Sequence, residues 1–199
     1  MRITLWPVPP ELQPVGTPVG FMGGGPATDL AGRAPRPGLP VLSYEGRQPL
    51  IDGKPVPHDE IGEALQAEVE RVAKRLFGAE YSGPLAAATG LNVRSVQRGR
   101  VVTHGLPAPV LAMLARSIAT PCPRATGHML LAVAALWDSL MPEYGVGEVG
   151  PGPLSTDGRE LMARRLDEIA GQAIHLVVGV QEDAAAAKAR AYAAAGRTS

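Results

Sequence analysis

One cysteine, two tryptophans and two phenylalanines among 199 residues set the first limits on this chain. Cys122 alone can form neither an internal disulfide nor a cysteine-rich zinc site, which suits a reducing, cytoplasmic setting. With no His, Asn or Asp signature beside it, it reads as a buried small residue rather than a nucleophile. So few large aromatics leave an interior of Ala, Leu and Val, and with 45% hydrophobic residues that composition points to packed helices rather than a β-sandwich. Long apolar runs are missing too. The longest, Met129 to Trp137, is far short of the ~20 residues of a bilayer-spanning helix, and the start, Met1 to Trp6, breaks at Pro7 before reaching signal-peptide length. No membrane is expected as a partner. The histidines, His58, His104, His128 and His175, show no metal-ligand spacing. His58-Asp59-Glu60 and the pair Asp157 and Glu160 read as helix starts rather than acid/base groups. Metal, cofactor and catalytic residues are therefore all expected to be absent, and the chain is read as a non-enzyme.

Acidic residues are missing from one particular place. Between Tyr81 and Trp137 there is no Asp or Glu, yet Arg94, Arg98, Arg100, Arg116 and Arg124 all fall there, in a molecule of zero formal net charge. A basic concentration of this kind points to nucleic acid.

Glycine and proline, by contrast, are abundant, and unevenly placed. Twelve of the 20 prolines precede His58. Residues 1–57 are therefore expected to be a mostly irregular arm, because proline removes an amide donor and glycine costs ordering entropy. Short extended pieces remain at Ile3–Trp6 and Val41–Tyr44, and an Asp52-Gly53 turn signal allows a small β element, a hairpin over Val41–Val56. The triplet Gly23-Gly24-Gly25 has no following Gly-Lys-Ser/Thr and reads as linker, not as a phosphate loop.

Helical periodicity begins at Asp59, taken as an N-cap, where Ile61, Leu65, Val69, Val72 and Leu76 recur at spacings of four and three. Gly78 closes this helix. Glu63, Glu68, Glu70, Arg71, Lys74 and Arg75 make its other face, read as solvated. Short helices follow at 82–89 and 93–100, then helices at 109–119 and 127–140, the latter apolar nearly all round and so expected to be buried. A Gly/Pro run over 145–153 precedes a last helix starting at Asp157, whose Leu161, Leu166, Ile169, Ile174 and Val177 keep the helical period only loosely. Its Ala-rich end, 184–195, extends or frays from it. The expected fold is mainly α: a Pro/Gly-rich arm over 1–57, a helix-turn-helix bundle with an added helix over 58–142, and a linker with a C-terminal helical segment over 143–199.

The segment Ser82-Gly83-Pro84-Leu85-Ala86-Ala87-Ala88-Thr89-Gly90-Leu91-Asn92-Val93-Arg94-Ser95-Val96-Gln97-Arg98 carries the sharpest signal. Two helices crossing to read DNA need a small residue at the crossing, a turn residue that tolerates a left-handed backbone, and apolar anchors. Ala86, Gly90, and Leu85, Leu91 and Val96 supply these, and Asn92 caps the second helix. Val93, Arg94, Gln97 and Arg98 then project outward, and Arg and Gln match guanine and adenine edges in the major groove. Leu76 to Ile118 resembles the helix-turn-helix of the Cro/repressor-like superfamily of bacteria and phage, including the Gly and Pro that precede the next helix at Gly105 to Pro109. This resemblance covers a quarter to a third of the chain and implies DNA contacts from Ser82, Val93, Arg94, Gln97, Arg98 and Arg100. One departure stands out: Gly99 replaces a large apolar residue, so the second helix is less well anchored and is expected to end early, since Gly in a helix costs ~1 kcal/mol relative to Ala.

These readings imply a sequence-dependent DNA-binding protein of repressor type. Double-stranded DNA is the partner, and a homodimer is expected because one such module buries little surface. The helix at 127–140 and the last helix are the candidate interfaces. The alternative is a helical scaffold, adaptor or phage structural protein using the same fold for protein contacts. In that case the arm would be the docking surface for a protein partner, ordered through Leu5, Trp6, Leu42 and Tyr44. As a mere appendage, the arm would be protease-sensitive and dispensable for folding.

Overall fold

The computed structural model describes residues 1–12, 14–23, 38–140 and 156–195. The linker readings at 24–37 and 145–153 lie outside these residues. Two compact units divide the chain, Met1–Ala134 and Ala135–Ser199.

The first unit opens on a five-stranded antiparallel sheet in which each strand pairs with the next: β1 (Ile3–Leu5), β2 (Thr17–Met22), β3 (Val41–Glu45), β4 (Gln48–Ile51) and β5 (Lys54–Pro55). This corrects the mostly irregular arm. The expected hairpin is there as β3 to β5, with Asp52 (φ 48°) and Gly53 (φ 75°) both left-handed, as a two-residue hairpin turn of this kind requires. What the proline count concealed is how each proline is accommodated. Pro18 lies in an inner strand, but the β2–β3 register shifts between Pro18 and Gly20, so its missing amide falls at a bulge. Pro49 lies in β4, and its carbonyl accepts from Val56 N (3.0 Å). The donor it lacks on that side is replaced by Gln48 Nε2, which reaches the Val56 carbonyl at 2.7 Å.

Five helices complete this part of the chain: α1 (His58–Phe77), α2 (Ser82–Thr89), α3 (Arg98–His104), α4 (Ala108–Ile118) and α5 (Pro123–Leu140), the last of which continues past the unit boundary. Pro57, not Asp59, holds the N-cap position of α1, and Asp59 and Glu60 occupy its first turn, where the helix dipole favours carboxylates. α1 packs against β1, and α4 against β1 and β2. Leu5, Val19 and Leu42 from the sheet join Leu65, Leu76 and Leu111 from the helices as fully buried side chains of one core. The arm thus supplies one wall of the hydrophobic interior.

Glu68 corrects the solvated-face reading. It is buried. Its Oε1 accepts from Leu5 N at 2.9 Å, tying α1 to β1, while Arg71 donates to both carboxylate oxygens at 2.6 and 2.7 Å. The Glu68 hydrogen bond, opposed by burial, holds the Arg71 guanidinium above its ordinary range.

Two further expectations are also corrected. α5 begins at Pro123, which suits a first helical turn because its missing amide is not needed there. Its apolar residues are only half covered: Met129 is 46% exposed, and Leu130 and Leu131 pack on the core edge. Gly127 alone sits tight, a Cβ there falling 2.1 Å from the Leu76 carbonyl oxygen, so this small residue rather than a broad face sets the contact. Cys122 is exposed, because it occupies the corner between α4 and α5 flanked by Pro121 and Pro123.

In the second unit, α6 (Thr156–Ala195) runs 40 residues through the Ala-rich end. Among the described residues no single helix is long and apolar enough to cross a membrane.

Candidate nucleic-acid interface

α2 occupies the expected residues, and Gly90 ends it in the left-handed region (φ 67°, ψ 11°), where a side chain would strain the backbone. Leu85 and Ala86 are buried on its inner side. Thr89 Oγ1 donates back to the Leu85 carbonyl at 2.7 Å, tightening the last turn before the reversal. Beyond the turn, Asn92 caps as expected: its Oδ1 accepts from Arg94 N at 2.9 Å.

The second helix is corrected. Instead of one helix over 93–100, the chain makes a 3₁₀ turn, Val93–Val96, then places Gln97 in extended backbone (φ −70°, ψ 145°) and restarts as α3. The physical reason lies in the anchors. Val96 and Val101 are both fully buried, and residues five apart on one α-helix point about 140° away from each other. A continuous helix could not bury both against the same core. The break at Gln97 re-aims the second half so that it can. Gly99, expected to end the helix, lies in the first turn of α3, where it faces open space.

α3 is held close to α1. A Cβ on Gly62 would fall 2.3 Å from the Val102 carbonyl oxygen, so the two backbones touch where only glycine fits. This contact fixes which side of α3 is free: Val101 is buried and Arg98, Gly99, Arg100, Thr103 and His104 are exposed.

Of the six site residues read from the sequence, Arg94, Gln97, Arg98 and Arg100 are exposed, Val93 is 47% exposed, and Ser82 is half-buried at the first position of α2. They do not share one helical face, because the helix that was to carry them is broken. Arg98 Nη2 reaches Glu63 Oε2 on α1 at 3.3 Å, both side chains largely in water, and an exposed pair of that kind holds weakly against a competing anion. Arg100 Nη1 lies 3.1 Å from His104 Nε2. Since guanidinium only donates, this ring nitrogen is the acceptor.

Sequence reading missed the surroundings of Arg100. Arg100, Ser95 and His104 share a groove with Arg47, which sits in the β3–β4 turn. No local pattern could join Arg47 to them, because only the sheet brings that turn to this face. Among the described residues no group of three or more His, Cys, Asp or Glu could hold a metal ion. Comparison with protein-family models, with curated proteins and with solved structures finds no match for this chain.

Proposed function

We propose that the Met1–Ala134 unit binds double-stranded DNA as the body of a repressor-type regulator. One observation carries the reading: Arg94, Gln97, Arg98 and Arg100 are exposed along one short stretch, within a span from Tyr81 to Trp137 that has no carboxylate. Among the described carboxylates, Glu63 of α1 is the one in ion-pair contact with any of these arginines, and Glu70 is close enough to feel the charge of Arg98. A DNA backbone would supply the missing counter-charge. Without a single recognition-helix axis, the arginines and Ser82 suit phosphate contacts that set position, and Gln97 and Val93 are left for base edges.

A homodimer is part of the proposal, and α6 supports it. Leu166, Ile169, Ala173, Leu176 and Val180 follow one another at spacings of three, four, three and four, the repeat of a two-helix seam, while Met162, four residues before them, is already buried. Leu176 and Val180 are 67% and 69% exposed.

A mobility shift across a salt series, against random and genomic DNA, tests the DNA reading. Joint replacement of Arg94, Arg98 and Arg100 by Ala should weaken binding and reduce the log–log salt slope by about one unit for each phosphate left without its arginine. An unchanged slope in a variant with intact circular dichroism would exclude these arginines as the DNA-binding surface. Gln97→Ala should relax preference at one base position, at ~1–3 kcal/mol on the best site.

The order of the N-terminal residues favours a second reading, a scaffold or adaptor. Leu5, Trp6, Leu42 and Tyr44 are all buried in the core, as that alternative required of the arm. Failure of the full chain to shift any DNA at low salt would select it.

A further inference from the structure

We propose that the groove between the β3–β4 turn and the corner joining α3 to α4 binds a small phosphate-bearing ligand of nucleotide size, carrying an apolar or aromatic body. The space is about 600 Å³, within the range of small-molecule sites. Its charged lining is of one sign: Arg47 and Arg100, with no Asp or Glu on its wall. Leu91, Leu106 and the neighbouring prolines make the rest largely apolar, and Ser95 adds a hydroxyl. Two guanidinium groups and a hydroxyl around an apolar floor form a donor-rich, acceptor-poor site. Arginine forks match the oxygens of a phosphate in pairs, which a point charge does not.

The two arginines are presented differently. Arg47 follows Gly46 (φ 61°) in a two-residue turn and makes no ion pair with a described carboxylate. Arg100 is steadied by His104 Nε2 at 3.1 Å, which leaves the guanidinium's other donors for a ligand. His104 is thus a positioning residue. Tyr44 forms part of the same wall, and its hydroxyl, though buried, has no hydrogen-bond partner. Burial pushes this phenol well above its ordinary range, so it stays a neutral donor. The hydroxyl has essentially no accessible surface, so it is sealed behind this wall and is not offered to a ligand.

Arg47 is outside the residues proposed to touch DNA, whereas Arg100 belongs to both surfaces. Only if the DNA reading holds do ligand and DNA compete for Arg100, the ligand then releasing the protein from DNA.

Calorimetric titration of the full chain with pyrophosphate and with adenosine monophosphate tests the site. Wild type should bind, and the nucleotide should bind more tightly than pyrophosphate because of the apolar floor. Arg47→Ala and Arg100→Ala should each weaken binding roughly tenfold or more, Arg47→Lys should fall between them and wild type, and Arg116→Ala, on exposed α4 surface away from the groove, should have no effect. Circular dichroism checks that each variant is folded. Absence of binding to both probes, or binding indifferent to Arg47→Ala and Arg47→Lys, overturns the proposal. So does a mobility shift in which Arg47→Ala weakens DNA binding as much as Arg94→Ala, which would make the groove a seat for DNA phosphate. Nucleotide binding that depends on Arg47, in a protein that shifts no DNA, would uphold the site while the DNA reading fails.

Discussion

α1 and α6 are both long helices with an apolar stripe, and they have opposite fates. α1 buries Ile61, Leu65, Val69, Val72 and Leu76 completely, under a sheet on one side and α3 and α4 on others. α6 leaves Ile169, Ile174, Leu176, Val177, Val178 and Val180 between 45% and 69% exposed. The difference is not one of helix-forming tendency. A stripe is stable in water only when something covers it; for α1 the cover comes from the same chain, and for α6 we propose that it comes from a second copy.

Removing the cover of α1 should have the largest effect. A chain beginning at Pro57 would lose Leu5, Val19 and Leu42 from the core and uncover one wall of α1. It should fail to fold, read as loss of cooperative thermal unfolding. A soluble, cooperatively folded product would show that the first 56 residues are an appendage.

Losing the buried Glu68 carboxylate, which ties α1 to the sheet, should have a smaller effect. Glu68→Ala leaves the Leu5 amide without its acceptor and Arg71 without its partner, and should cost about 2–4 kcal/mol in chemical denaturation. The neighbouring Lys74–Glu70 pair, at 2.6 Å on the open face, is the control, and Glu70→Gln should change stability far less.

On α6 the expected result is the reverse. Leu176→Glu together with Val180→Glu should leave the thermal transition of the first unit within about 0.5 kcal/mol, as surface changes do, while converting dimer to monomer in sedimentation velocity. A wild-type chain that is already monomeric at high micromolar concentration would remove the second copy from the account.

A pH-dependent effect, smaller still, is expected on the sheet side of the core. The Tyr44 phenol is raised by burial, so its contribution to stability is fully present below the ordinary tyrosine value of about 10. It is lost as pH rises further, because the unfolded chain ionises while the folded one resists. Tyr44→Phe should be neutral or stabilising at pH 7, since the buried hydroxyl it removes is unpaired, and should lose less stability than wild type between pH 9 and 11 in thermal melts. Parallel curves for the two proteins would show that the phenol is not constrained by the fold.

What the sequence determined by itself is local. The period of α1, the bounds of α2, the left-handed Gly90, the Asn92 cap and the Asp52-Gly53 turn each depend on residues within a few positions of one another, and each was legible. Tertiary structure decided the rest. Whether Pro18 and Pro49 end strands or sit inside them depends on a bulge and on the Gln48 side chain, and whether 93–104 is one helix or two depends on a core that must receive Val96 and Val101 together. The joining of Arg47 to Arg100 likewise exists only because the sheet carries a turn to the face of α3. Periodicity fixes which side of an element is apolar. It holds no information about what lies opposite, and burial, charge pairing and grooves are all properties of what lies opposite.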